Sequence, residues 1–171
     1  MKLDLTSFER AIFQLNQSLS YYESDLAKQD KGVKLQFRMA CIQAFEYTYE
    51  LSYKMLKRYL EMSEATSEAI DSMAFPELIR TGSERGLLRS DWSCWKQYRE
   101  VRNITAHTYN DLKAEAAFSV IPDFLEEAEY LFQKLQERSG GIMSQKLDRR
   151  ALLAMTQFSS SLRGAEGDAA I

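Results

Sequence analysis

Apolar residues recur along this chain at alternating intervals of three and four, the spacing that lines one face of an α-helix. Leu5, Phe8, Ile12, Leu15, Leu19, Tyr22 and Leu26 trace a first helical face. Asp30-Lys31-Gly32 interrupts it. Beyond the interruption two stripes run side by side, Val33, Phe37, Ala40, Ala44, Tyr47 and Leu51 in one, and Cys41, Phe45, Ser52, Leu56 and Tyr59 in the other. A helix with two apolar stripes is expected to pack between neighbours, and an unbroken run from Val33 to Met62 would form a spine about 45 Å long at 1.5 Å per residue.

The residues from Ser63 to Ser72 are polar and weakly patterned, with a helical turn expected around Glu68 to Met73. Pro76 suits the first turn of a short helix through Ile79, with Gly82 or Gly86 as its stop. Asp91 is a good N-cap for a helix that turns Trp92, Trp95, Tyr98 and Val101 toward the core and ends by delivering Arg102. A last helix starts near Asn110 or Asp111, breaks or kinks at Pro122, and continues through Phe124, Ala128, Leu131 and Leu135. No segment alternates as a strand does. The expected fold is therefore all-α, an up-and-down bundle of four or five helices over residues 1–138. Ser139-Gly140-Gly141 reads as a linker to a tail over 139–171, with one short helix from Leu147 to Phe158 and disorder after it.

At 171 residues, 45% of them hydrophobic, the chain can bury one core. No apolar run approaches the roughly 20 residues that span a bilayer. The start of the chain lacks a basic flank and an h-region, which points to the cytoplasm. Cys41 and Cys94 are too few for a disulfide framework or a zinc site, and Cys41, in an apolar run, is expected in the core as a thiol. A net charge of −3 argues against general nucleic-acid binding, but the charge is uneven. Arg80 to Arg102 carries six basic residues, among them Lys96 and Arg99, against three acids, while Asp111 to Glu137 is strongly acidic. Such runs are more often solvated helix faces. Here the basic run leads straight into the single histidine, which suggests a phosphate-attracting surface.

That histidine stands in Arg102-Asn103-Ile104-Thr105-Ala106-His107-Thr108-Tyr109. Imidazole titrates near neutral pH, and the guanidinium fork holds phosphate oxygens. In metal-independent RNA cleavage the 2′-OH attacks the adjacent phosphorus, so a proton must move and charge on the non-bridging oxygens must be stabilised. His107 suits the first task and Arg102 the second. No metal-ligand cluster and no cofactor motif is visible, although carboxylate-bound Mg²⁺ stays open. On a regular helix Arg102 and His107 lie about 140° apart in projection. They share a cleft only if the helix loosens across β-branched Ile104 and Thr105, or if two copies face each other.

Arg, Asn, three more residues, His, one residue and Tyr, with Gly86-Leu87-Leu88, Trp95 and Arg99 upstream and Asn110 downstream, resemble the RX4HXY signature of HEPN-domain ribonuclease toxins. The resemblance extends to HepT-like toxins and to relatives known as nucleotidyltransferase substrate-binding subunits, over residues 4 to 138. It implies a homodimer with facing motifs and an endoribonuclease that uses Arg102 and His107, with Asn103 orienting phosphate or imidazole. The substrate is RNA, tRNA among the candidates. Tyr109 would be the tyrosine that a cognate nucleotidyltransferase antitoxin adenylylates to silence the enzyme. Arg99 and Lys96 are the expected RNA-binding cations.

Each of these residues also has a plainer reading. A lone histidine near a helix end is more often a capping group, Tyr109 closes a bundle as well as it serves chemistry, and Trp92 and Trp95 beside Tyr98 are better as core than as base-stacking platforms. Glu46 and Glu50, one turn apart, read better as a solvated face or a salt bridge than as an acid pair. Two rival functions follow: a non-catalytic subunit that presents substrate to a separate nucleotidyltransferase, and a structural bundle in which the motif only packs.

Overall fold

A computed structural model describes residues 3–63, 67–105 and 118–139, and every regular element among them is an α-helix. They are α1 (Thr6–Tyr22), α2 (Asp25–Gln29), α3 (Lys31–Ser63), α4 (Ser67–Asp71), α5 (Phe75–Glu84) and α6 (Trp92–Thr105), with a seventh, α7, over 121–139. The helices pack as an all-α, up-and-down bundle around α3, whose 33 residues make a rod about 50 Å long at 1.5 Å per residue.

Local chemistry sets the boundaries. The Ser24 hydroxyl accepts the Ala27 N–H and restarts the chain as α2. This resets the helical phase, so the first helix is two helices rather than one. Ala27 goes into the core, and Leu26, expected on the buried face, is 57% exposed. Asp30 Oδ1 accepts the Gly32 and Val33 N–H groups at 2.7 and 3.1 Å and starts α3. Pro76 occupies the first turn of α5. That helix closes with the Leu87 N–H bonded to the Gly82 carbonyl and the Gly86 N–H to that of Ser83, a paired closure that needs Gly86 at φ +65°. Asp91 caps α6, its Oδ1 accepting the Ser93 N–H at 2.9 Å and the Ser93 hydroxyl as well. These hydrogen bonds hold the Asp91 carboxyl below its ordinary range.

The expected break near Pro122 falls at the turn over 119–120, and Pro122 stands in the first turn of α7, as a residue without an N–H can do at no loss. A further expectation is corrected. Of the two stripes on α3, only the Cys41, Phe45, Ser52, Leu56, Tyr59 stripe is buried. Val33, Phe37, Ala44 and Leu51 are half-buried, and Ala40 and Tyr47 are exposed.

The core is strongly aromatic. Phe124 of α7 wedges between α3 and α6, edge-on to Phe45 at 5.0 Å and to Tyr98 at 5.2 Å between ring centroids. Fully buried Trp95 lies 6.0 Å from Tyr49. Each such side chain contributes roughly 1.5–3 kcal/mol by leaving water. Cys41 is buried as expected, and burial, with the Glu23 charge a smaller influence, pushes its thiol up to about 12. In the core the Thr48 hydroxyl donates to the Ala44 and Ala11 carbonyls, tying α3 to α1. Buried Glu127 accepts the Arg89 N–H at 3.0 Å and anchors the α5–α6 connection to α7. No helix among the described residues is long and apolar enough to cross a membrane.

Candidate functional site

Arg102 lies in the last turn of α6, where a cation is favoured by the helix dipole. Its Nη2 donates to Glu50 Oε1 of α3 at 2.7 Å. Its Nη1 donates to Asn103 Oδ1 at 3.5 Å. Glu50 thus forms a salt bridge, and the bond closes across 52 residues of sequence. Lys54, one turn along α3, also approaches Glu50, at 4.0 Å.

Arg102 and Glu50 stand on a cleft of about 330 Å³ between α3, α5 and α6. Helical spacing explains its composition. Positions 49, 50, 53 and 54 form one face of α3 and bring Tyr49, Tyr53 and Lys54, while positions 99, 102 and 103 form one face of α6. Phe75, at the start of α5, makes the end wall. The Arg99 guanidinium covers the Phe75 ring at 4.9 Å, and Tyr53 tilts against that ring at 5.2 Å. Trp92 packs edge-on to Phe75 from behind, at 5.7 Å.

Tyr49 joins the cleft to the core, and burial pushes its phenol up to about 12. The guanidinium groups of Arg99 and Arg102 pull it the other way and Tyr53 adds a little to the rise. At neutral pH this phenol is a donor rather than an anion. Among the described residues that line the cleft, three cations, Lys54, Arg99 and Arg102, face one carboxylate, Glu50, which makes this lining electropositive in an acidic chain.

Of the residues singled out by sequence, the structure brings Arg99, Arg102 and Asn103 to one cleft. Lys96 is not among the residues lining it and pairs loosely with Glu100 at 4.0 Å. Trp95 is core, and Trp92 backs the cleft wall. His107 and Tyr109, with the expected helix start at Asn110 or Asp111 and the tail beyond 139, lie outside the described residues. α6 remains helical through Ile104 and Thr105, so β-branching does not by itself open the helix there. Sequence reasoning missed Tyr49, Tyr53, Lys54 and Phe75 as cleft residues. The signal was faint: Tyr53 and Lys54 lie outside both apolar stripes of α3, and nothing local to Phe75 points at α6. Among the described residues no group of three or more His, Cys, Asp or Glu side chains is placed to hold a metal ion.

Comparison with known proteins gives this arrangement its relatives. Residues 3–137 match the family model described as nucleotidyltransferase substrate binding protein like. A Haemophilus influenzae protein named "Probable ribonuclease HepT" is 35% identical over 140 residues, covering 81% of this chain and 95% of the relative. A solved H. influenzae structure, described as revealing the fold of a substrate binding domain of a nucleotidyltransferase, superposes with a TM-score of 0.72 at 34% identity, over 78% of this chain and 99% of that one. A Thermus thermophilus structure aligns with a TM-score of 0.57 at 28% identity, over 75% and 98% of the two chains. An all-α bundle with an electropositive cleft at the start of the Arg-Asn-x3-His-x-Tyr segment, matched over most of its length by these proteins, belongs to the HepT-like family of nucleotidyltransferase substrate binding proteins.

Proposed function

We propose that this chain is a metal-independent endoribonuclease, the toxin half of a pair whose other half is a nucleotidyltransferase. The observation that carries the reading is the placement of Arg102 on an electropositive cleft, held by Glu50 at 2.7 Å, at the end of the helix that leads to His107. The guanidinium has five N–H donors in a fixed fork, so a phosphate can share it with the carboxylate.

In the proposed reaction the 2′-oxygen forms a bond to phosphorus as the bond to the 5′-oxygen breaks. An imidazole takes the 2′-OH proton, and the 5′-oxygen receives a proton as it leaves, which yields a 2′,3′-cyclic phosphate and a 5′-OH. Two copies facing each other supply one His107 for each role. Arg102 stabilises the charge that grows on the non-bridging oxygens, and Asn103 beside it orients phosphate or imidazole. The homodimer, the RNA substrate and the cytoplasmic setting belong to this proposal. So does silencing by an adenylate on Tyr109, which would set bulk and negative charge two residues from His107.

The test is incubation with total RNA in EDTA, which should give fragments ending in 2′,3′-cyclic phosphate, abolished in His107→Ala and in Arg102→Ala. Complete dependence on Mg²⁺ overturns the mechanism. The family description and that of the solved relative favour a second reading, a non-catalytic subunit that binds substrate for a nucleotidyltransferase. Binding without cleavage by the wild-type chain, with nucleotidyl transfer by a partner that needs this chain, would establish it.

A further inference from the structure

The cleft beside Arg102 has two kinds of wall. One side is cationic: Arg102 and Lys54 flank Glu50. The other is π-rich, formed by the rings of Tyr53 and Phe75, tilted at 48° to one another, and the Arg99 guanidinium laid over Phe75 at 4.9 Å. A phosphate needs only the first wall. A cavity of about 330 Å³, at the small end of the range for small-ligand sites, with a stacking surface next to an anion-holding surface, suits a planar ring joined to a phosphate.

The aromatic wall is also fixed in place. Phe75 is held from behind by Trp92 and from the side by Tyr49, which is itself packed against buried Trp95, so the wall is an outcrop of the core. A planar ligand meets a preformed surface and orders few side chains on arrival. Stacking on such rings is tolerant of sequence because every base has a π-face, and an arginine plane adds a cation–π contribution.

We infer that the Tyr53–Phe75–Arg99 wall is a nucleobase subsite, which takes the base of a nucleotide whose phosphate lies on Arg102 and Lys54. The inference rests on the nuclease reading for its source of ligand: the base belongs to the RNA strand next to the phosphate that is cut. A free nucleotide offers the same chemistry, and the experiment separates the two.

The protein for the test is full-length His107→Ala, which holds RNA without cutting it under that reading. Titration calorimetry compares AMP and UMP with ribose 5-phosphate, which carries the phosphate and sugar but no base. Nucleoside monophosphates should bind about tenfold tighter than ribose 5-phosphate, the scale of one stacked base. That gap should close when Tyr53→Leu is added and persist with Tyr53→Phe, and a short oligoribonucleotide should displace AMP. Arg99→Gln should narrow the gap as well, and provides a second reading if Tyr53→Leu fails to fold by circular dichroism. Equal binding of AMP and ribose 5-phosphate, or a gap that survives both Tyr53→Leu and Arg99→Gln, removes the subsite. AMP that no oligoribonucleotide displaces overturns the assignment to a strand. Wild-type cleavage with no gap leaves the nuclease standing and removes the subsite, and a gap without cleavage does the reverse.

Discussion

Replacing Glu50 by Gln separates the two things this side chain does to Arg102. Gln keeps an oxygen that can accept from Nη2, so the guanidinium stays where α3 places it, while the negative charge that competes with phosphate is removed. Two unit charges 4 Å apart interact by about 1 kcal/mol in bulk water and about 4 kcal/mol at an effective dielectric of 20. The Arg102 and Glu50 side chains are 36% and 43% exposed, so solvent screening puts this site at the low end. About 1 kcal/mol corresponds to roughly fivefold tighter RNA binding in E50Q. The plot of log affinity against log salt should steepen by up to about 0.7, the value for one more phosphate contact on a single strand. Stability should hardly change, because an exposed pair is worth about 0.2–1 kcal/mol, or at most about 4 °C in Tm for a chain of this size. Glu50→Ala, which also removes the acceptor, should bind RNA as tightly as E50Q but cut it more slowly, since Arg102 is no longer held. Filter binding across a salt series with His107→Ala as background measures the first pair of effects, and single-turnover cleavage measures the last. An unchanged affinity and slope in E50Q would refute the view that Arg102 faces phosphate, and a Tm loss beyond about 6 °C would make the pair structural.

Other expectations concern what holds the cleft in shape. Gly86→Ala forces an L side chain into left-handed backbone, so it should cost about 1–2 kcal/mol by urea unfolding, and Gly86→Asn should cost less. Glu127→Ala leaves the part-buried Arg89 N–H without its acceptor and should cost about 1–3 kcal/mol, whereas Glu127→Gln, which keeps that acceptor, should lose less; equal losses would show that packing matters there and not the hydrogen bond. The Lys57–Asp71 pair, 2.7 Å apart, ties α4 to α3, and its mutual hydrogen bond raises the Lys57 pKa and lowers that of Asp71. A depressed acid contributes above its unfolded pKa and loses its contribution as pH falls through the folded one; a raised base contributes below its unfolded pKa and loses it as pH rises through the folded one. Lys57→Met should therefore lower thermal stability between the carboxylate and lysine ranges and have little effect below the former, as checked by melting curves from about pH 2 to about pH 9.

Much of the fold could be read from the order of residues because a helix displays its pattern locally. The caps at Asp91 and Pro76, the stop at Gly86 and the core face of α6 each depend on neighbours within one turn. Leu26 failed that reading because a single hydroxyl, that of Ser24, restarted the helix and rotated every later position. The Val33–Leu51 stripe was read only in part: Phe37 stacks on Tyr21 and Leu51 packs on the core, while Ala40 and Tyr47 stay exposed, because an apolar stripe says that a face is able to be buried, not how fully neighbours cover it. The site was half legible. Arg99, Arg102 and Asn103 lie on one stretch of α6, but Glu50 meets Arg102 from 52 residues away and Phe75 meets Arg99 from a third helix, and periodicity carries no information about which faces meet.

The chain has two tryptophans, and the fold gives them different surroundings. Trp95 is sealed among Tyr49, Tyr98 and Phe124, while Trp92 lies at the back of the cleft wall against Phe75. The molecule therefore carries two intrinsic fluorophores with separate duties. With Trp92 replaced by Phe, the remaining emission should be blue-shifted, indifferent to nucleotides and responsive only to loss of the core. With Trp95 replaced by Phe, the remaining emission should follow occupancy of the cleft. One spectrometer and two single-tryptophan variants would distinguish a ligand that binds from one that merely stabilises, without attaching any dye to the protein.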